Sequence, residues 1–207
     1  MNDAEAARLK EMCRHERKYW DKGLLVAGID EVGRGPLAGP CVAAAVIMPP
    51  HPLIEGVNDS KKVSEKKRQT IYEQIMKHAV TVGLGIVDNR VIDEINILNA
   101  ARMAFAAAFY ELEVVPAFVF CDRIGGIVID VEYEEFTHGD AISYSIAAAS
   151  IVAKVTRDEM MREYDEVFPM YGFARHKGYG TAAHRQVIKE NGVCDIHRMS
   201  FCRKILS

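Results

Sequence analysis

Four acids in this 207-residue sequence lie where acids are costly to keep. Asp30 and Glu31 close an apolar run from Leu24 to Ile29, and Asp122 closes another from Ala117 to Cys121. Asp140 stands just before a long segment of small residues that begins at Ile142. A carboxylate beside an apolar strand costs free energy unless something neutralises it. Taken singly, each acid is read most simply as a turn cap or the partner of a surface lysine. As a set of four they suit a hard divalent cation, Mg²⁺ or Mn²⁺, which prefers oxygen ligands. Two such ions about 3.5–4 Å apart can activate water and stabilise the leaving oxygen of a phosphodiester.

A second motif follows the first acids directly: Gly33-Arg34-Gly35-Pro36-Leu37-Ala38-Gly39-Pro40. Gly33, Gly35 and Ala38 formally satisfy a dinucleotide-binding fingerprint, which requires strand, turn and helix in that order. Pro36, Pro40 and the strand-like run after them argue against a helix there. The turn is better read as backbone that must approach a ligand closely, since glycine has no Cβ to obstruct it.

These residues have to be carried by ordered elements. Leu24–Ile29 and Cys41–Met48 read as strands joined by the glycine turn, hence an antiparallel pair. Ser64 is a candidate cap for a helix to about His78, and Val80–Val87 reads as a third strand. A helical segment from about Asn89 to Leu112 precedes a fourth strand, Ala117–Cys121. Ile127–Thr137 holds one more strand or a hairpin. A long helix runs from Ile142 to about Phe168, and Thr181 caps a last one to about Asn191. Strands first, then helix alternating with strand, predict an α/β fold with a mixed sheet flanked by helices.

Composition limits the rest. Hydrophobic residues make up 49% of the chain, enough for a buried core, and no stretch approaches the roughly 20 apolar residues that span a bilayer. The segment before Gly23 is polar and charged, without the apolar centre of a signal peptide. A cytoplasmic protein without membrane attachment is expected. Five cysteines without a CxxC pair suggest no disulfide framework. Cys194, His197 and Cys202 have unconvincing spacing for zinc. Net charge is -3, yet from Tyr171 onward seven cations face two acids, and Lys61, Lys62, Lys66, Lys67 and Arg68 form a second basic cluster. Basic patches beside an acidic site would serve phosphate and metal together.

Several stretches, taken in order, resemble the ribonuclease HII family: GIDEVGRGPLAGPCVAAAVI, NDSKKVSEKKR, IDEINILNA, GDAISYSIAAASIVAKVTRD, YGFARHKGYGT and HRMSF. They extend from about Ala27 to Phe201, nearly the whole chain. The resemblance implies a ribonuclease H-like fold with a five-stranded mixed sheet and a C-terminal helical region. It implies one catalytic domain over 1–207, with 1–22 as an N-terminal helical extension and about 170–207 as a substrate-binding segment. The implied activity is hydrolysis of RNA in RNA–DNA hybrids and on the 5′ side of a single ribonucleotide in duplex DNA, leaving 3′-hydroxyl and 5′-phosphate ends. A monomer is expected.

Carried over onto this sequence, the family's metal-binding catalytic acids fall on Asp30, Glu31, Asp122 and Asp140, with Mn²⁺ or Mg²⁺ as cofactor. The motif whose backbone meets the ribose 2′-hydroxyl falls on Gly33, Arg34 and Gly35. The tyrosine that stacks at the RNA–DNA junction falls on Tyr179. Further substrate contacts are expected from Ser60, Lys61 and Lys62, and from Ser143 at the start of the long helix, whose N-terminal amides favour anions. Lys154 and Arg157 further along either handle nucleic acid or pair with Asp158 or Glu163. Two positions depart from the family's pattern. Arg123 replaces the usual glycine after the third acid, leaving the local backbone path open. His138 replaces the usual lysine before Gly139, and is read as a loop histidine with proton shuttling as the alternative.

Two other readings compete. The sister group, ribonuclease HIII, carries an extra N-terminal domain for which the 22 residues before Gly23 are too few. A hybrid-binding protein with a dead site would have no use for four uncompensated carboxylates.

Overall fold

The computed structural model describes residues 1–206. The chain opens with α1 (Asp3–Met12) and α2 (Arg17–Trp20), then β1 (Val26–Val32), β2 (Cys41–Ile47), α3 (Glu65–His78) and β3 (Thr81–Val87). There follow α4 (Asn89–Ile95), α5 (Ile97–Tyr110), β4 (Phe118–Asp122), β5 (Tyr133–Phe136) and α6 (Tyr144–Val167). The C-terminal part holds α7 (Phe173–His176), α8 (Ala182–Asn191) and α9 (Met199–Leu206). The five strands form one mixed sheet in the order β3-β2-β1-β4-β5. β1 and β2 pair antiparallel, as do β2 and β3, while β1–β4 and β4–β5 are parallel.

Alternation along the strands sends side chains to two separate cores. Ala44, Val46 and Met48 pack with Ala147, Ala148 and Ile151 of α6 on one face. Ala43, Ala45 and Ile47 meet Ala104, Phe105 and Ala108 of α5 on the other. β2 is buried along its whole length, consistent with its unbroken apolar sequence. A third cluster joins Leu37 and Ala38 of the glycine turn to Met161, Phe173, Ile188 and Cys202, which fastens the C-terminal helices to that turn.

Where strand and helix approach closely, glycine is required by space. A Cβ on Gly28 would lie 2.0 Å from the backbone carbon of Ser145 in α6, and one on Gly85 would lie 1.9 Å from Ala104 O in α5. The first contact brings the start of α6 against β1, two residues before Asp30.

Several expectations shift in detail. β1 starts at Val26, later than expected, and carries Asp30 and Glu31 near its C-terminal end as expected, paired with Ala44 and Ala43. The expected helix from Asn89 to Leu112 is two helices. Asn96, at φ 68°, breaks the first, and its side chain accepts from Leu98 N and Asn99 N to cap the second. The segment after Ile127 contributes one parallel strand, β5, and no hairpin to the sheet. α9 follows the helix expected to be last.

Among the described residues no helix is long and apolar enough to cross a membrane. The five cysteines are all free. Cys202 Sγ donates to Leu37 O, whereas Cys194 Sγ lies 3.2 Å from His197 Nδ1, so the three residues weighed as zinc ligands do not converge.

Candidate active site

Parallel pairing of β1 with β4 brings their C-terminal ends side by side, and the acids with them. Asp30, Glu31 and Asp122 each offer a carboxylate oxygen within 4.8 Å of the others. Asp140 stands outside that trio, in a 3₁₀ turn (Gly139–Ala141) before α6, yet it is 8% exposed and close enough to raise the pKa of Asp30. Asp122 connects it to the group: its Oδ1 accepts from Gly139 N at 2.8 Å, fixing the loop that carries the fourth acid.

The electrostatics are those of charges held together with only partial compensation, from Arg34 and Lys61. Burial pushes Asp30 well above the ordinary carboxylate range, and Glu31 and Asp122 add repulsion. Burial raises Glu31 as well, against the opposing pull of Arg34, whose guanidinium is 3.5 Å away. Burial also raises Asp140, followed by the charge of Asp59, a fifth acid that sequence reading did not single out. Lys61 faces the same cluster. Burial disfavours its charge, but Asp140, Asp30, Asp59 and Asp122 outweigh that and lift its pKa. An all-oxygen cluster with repelling carboxylates fits a hard divalent cation, whose charge would remove the repulsion.

This predicts a pH-dependent metal effect. Asp30, Glu31 and Asp140 have folded-state pKa values above their unfolded ones, so folding retains protons that the unfolded chain has lost. The cluster's contribution to metal-free stability therefore falls as pH rises above the ordinary carboxylate range and through the raised values. Bound metal reverses that loss. Thermal midpoints measured from pH 5 to 8 should show the gap between saturating Mn²⁺ or Mg²⁺ and chelator widening with pH. Parallel curves would mean that the acids do not take up the ion.

Beside the acids, the glycine turn is held from within. Gly33 is buried at φ +99°, where a Cβ would lie 2.5 Å from Arg157 Nε and 2.6 Å from Pro40 O. Glycine is needed here by the protein interior, not only by an approaching ligand as the sequence suggested. Arg157 was expected to handle nucleic acid or pair with an acid; it is fully buried. It donates to Pro40 O, Ala38 O and Lys177 O at 2.9, 3.1 and 2.9 Å. Arg198, also fully buried, donates to Gly33 O, Arg34 O and Gly39 O at 2.6, 3.1 and 2.8 Å. Buried guanidiniums are tolerated when their donors are satisfied, and here backbone carbonyls satisfy them. Lys154 instead donates to Asp158 at 2.6 Å.

Tyr179 joins this construction. Leu37 N donates to Gly178 O at 2.8 Å, and the Arg157 guanidinium lies 5.9 Å from the centre of the Tyr179 ring. The ring is 41% exposed, and its Cε1 lies 3.8 Å from where a Cβ on Gly35 would sit. Sequence positions about 140 apart thus form one surface, with Gly35 and Arg34 exposed beside the tyrosine.

Two expected substrate contacts have other tasks. Ser143 is fully buried; its hydroxyl donates to Glu16 Oε1 at 2.5 Å and accepts from Ile146 N. Glu16 also accepts from Ser145 N at 2.9 Å, so the protein's own carboxylate occupies the N-terminus of α6 where a substrate anion was expected. Ser60 is 4% exposed, with its hydroxyl bonded to Ser150. Lys61 and Lys62 are exposed, the latter 3.8 Å from Asp59. Arg123 is exposed at the bend just after β4, and its N–H still donates to Phe136 O. His138 is an exposed loop residue at φ 57°.

A mixed sheet of this order, with acids at the ends of its central parallel strands, is the ribonuclease H-like fold. It superposes on ribonuclease H2 from Pyrococcus horikoshii with a TM-score of 0.75, 24% identity, and coverage of 88% of this chain and 97% of that one. The model of the ribonuclease HII family matches residues 27–204. Ribonuclease HII of Acetivibrio thermocellus is 52% identical over 205 residues, 99% of this chain and 80% of that protein. Ribonuclease HII of Ruminiclostridium cellulolyticum is 46% identical over 206 residues, 99% and 81% respectively. The chain belongs to the ribonuclease HII family, and is accordingly an endoribonuclease that hydrolyses RNA in RNA–DNA hybrids with a divalent metal.

Proposed function

We propose that this enzyme also nicks duplex DNA on the 5′ side of a single embedded ribonucleotide, leaving a 3′-hydroxyl and a 5′-phosphate. The observation that carries this reading is the packing of the Tyr179 loop against the glycine turn, next to three converging carboxylates. Asp30, Glu31, Asp122 and Asp140 are the metal ligands in this proposal, with Mn²⁺ or Mg²⁺ as the ion. Bound there, divalent metal supplies Lewis acidity at the phosphate and a water activated for in-line attack.

The chain's own residues do the rest. The exposed backbone at Arg34 and Gly35, shaped by Gly33, meets the ribose 2′-hydroxyl, a group that DNA lacks. The Tyr179 ring packs on the following nucleotide, where ribose gives way to deoxyribose. One ribose therefore suffices for recognition, because neither element requires a second one. Lys61 and Lys62 hold phosphate oxygens, and the segment from about residue 170 follows the duplex backbone. Such contacts position the substrate without reading its bases.

The test uses two labelled substrates, a duplex with one ribonucleotide and a long RNA–DNA hybrid. With Mn²⁺ or Mg²⁺ the first should be nicked 5′ to the ribonucleotide, and the downstream product should be open to a 5′-phosphate-dependent exonuclease. Tyr179→Ala should lower kcat/KM on the single-ribonucleotide duplex by about 10-fold or more, the scale of one lost base–aromatic stack, and harm the long hybrid less. Cleavage of the hybrid alone would refute the proposal. An equal loss on both substrates would remove Tyr179 from the junction.

A further inference from the structure

The loop that presents Tyr179 is anchored by imidazoles whose protons are all assigned by their neighbours. His184, in the first turn of α8, and His197, which bridges to Ala38 of the glycine turn, are both buried. Their Nε2 atoms are 3.0 Å apart. His184 Nδ1 lies 3.0 Å from Tyr179 O, and Cys194 N donates to His197 Nδ1 at 2.9 Å. A carbonyl only accepts, so His184 Nδ1 carries the proton of that ring. A backbone N–H only donates, so His197 Nδ1 is bare and its proton sits on Nε2. The Cys194 carbonyl is also near this nitrogen but farther, at 3.3 Å.

Both ends of the chain of bonds thus demand the same arrangement. His197 Nε2–H donates to His184 Nε2, and His184 Nδ1–H donates to Tyr179 O. An extra proton on His184 would set its Nε2–H against that of His197 across 3.0 Å, and one on His197 would set its Nδ1–H against the Cys194 N–H across 2.9 Å. His176 braces the same loop. Its ring stacks on His184 with centroids 4.3 Å apart, its Nδ1 accepts from Gly178 N at 3.2 Å, and its Nε2 donates to Tyr171 O at 2.7 Å. Gly178 and Tyr179 are therefore held on consecutive backbone groups, one as donor and one as acceptor.

We propose that His184 and His197 are positioning residues for Tyr179, forming a two-imidazole relay from the glycine turn that sets how well the enzyme cuts at a single ribonucleotide relative to a long hybrid. The proposal rests on the junction role assigned to Tyr179 above. Neither histidine touches substrate. Their effect is on where the tyrosine ring stands relative to Gly35.

The side-chain amides of asparagine and glutamine separate the two halves of the imidazole. His184→Asn places an amide N–H near the Nδ1 position, keeping the donor to Tyr179 O and losing His197. His184→Gln reaches the Nε2 position, keeping an acceptor for His197 and losing the bond to Tyr179. The ratio of kcat/KM on the two substrates is measured for both variants beside wild type and Tyr179→Ala. His184→Gln should lower that ratio about 10-fold, the scale of one hydrogen bond, toward the Tyr179→Ala value, and His184→Asn, which keeps the donor but loses His197, should lower it less, by about threefold. An unchanged ratio in the glutamine variant would overturn the relay, and an unchanged ratio in the asparagine variant would remove His197 from it.

An unchanged ratio in Tyr179→Ala itself would instead defeat the junction role, and with it the effect on preference. The relay is then judged in the wild-type protein by long-range ¹H–¹⁵N spectra of the imidazoles at neutral pH. The expected spectra show His184 protonated on Nδ1 and His197 on Nε2, both rings neutral. A charged ring or the opposite tautomers would overturn it, whether or not the variants fold.

Discussion

Asp30→Asn will stop cleavage and make the metal-free protein more stable. The two effects have one cause. Asp30 is 6% exposed and surrounded by Glu31, Asp122 and Asp140, so without a metal ion its charge is offset only in part, by Ser150 and Lys61. Asparagine keeps the shape and much of the hydrogen bonding but removes a charge from the cluster. Cleavage should fall by at least about 1,000-fold, or about 4 kcal/mol of transition-state stabilisation. Metal-free stability should rise, and the thermal midpoint with it, by the removal of one buried charge from a repelling cluster. Single-turnover cleavage with saturating metal and thermal melts in chelator measure the pair. Near-normal activity would take Asp30 out of the metal site. Lower metal-free stability would mean its charge is already compensated.

Gly28→Ala will damage the fold and the site together. The added Cβ would meet the Ser145 carbon at 2.0 Å, Ser145 O at 2.2 Å and Ile146 N at 2.3 Å. All three are helix backbone, so no side chain can swing aside. The start of α6 must move off β1, which opens the core and displaces Asp140 relative to Asp30. The expected loss is about 4 kcal/mol or more, a large share of the stability of an ordinary domain. Urea denaturation measures it directly. In whatever fraction remains folded, the concentration of Mn²⁺ needed for half-maximal cleavage should rise. A variant with a midpoint close to wild type would show that this contact gives way easily.

The sequence announced the parts of the fold that depend on local pattern. Apolar runs placed the strands, and the acids at their ends were legible because carboxylates rarely stand beside such runs without reason. It was less informative where backbone continues through a polar residue. Asp30 and Glu31 stand near the end of β1 as expected, but the strand runs on to Val32, since an acid in a strand keeps its N–H and C=O. Asn96 ends α4 through a left-handed backbone that no periodicity reveals.

The larger gap lies in buried polar residues. Ser143 looked ready to receive a phosphate at a helix N-terminus, but its partner is Glu16, 127 positions earlier. Arg157 and Arg198 looked like surface cations, because a guanidinium satisfied by carbonyls from distant loops leaves no local signature. The histidine pair was hidden for the same reason. His184 and His197 are 13 positions apart and meet only when α8 folds back against the segment that bridges to Ala38. Family resemblance supplied the residues proposed to meet substrate. The fold supplies the reasons they stand where they do.

Direct Mn²⁺ binding tests the central claim, that these carboxylates form the metal site. Calorimetric titration at pH 7.5, without nucleic acid, compares the wild-type protein with Asp30→Asn and Asp122→Asn. The wild type should bind measurably, and each variant at least about 10-fold more weakly, the loss of one charged ligand. Wild-type affinity retained in both variants would contradict it, since the ion would then be held elsewhere.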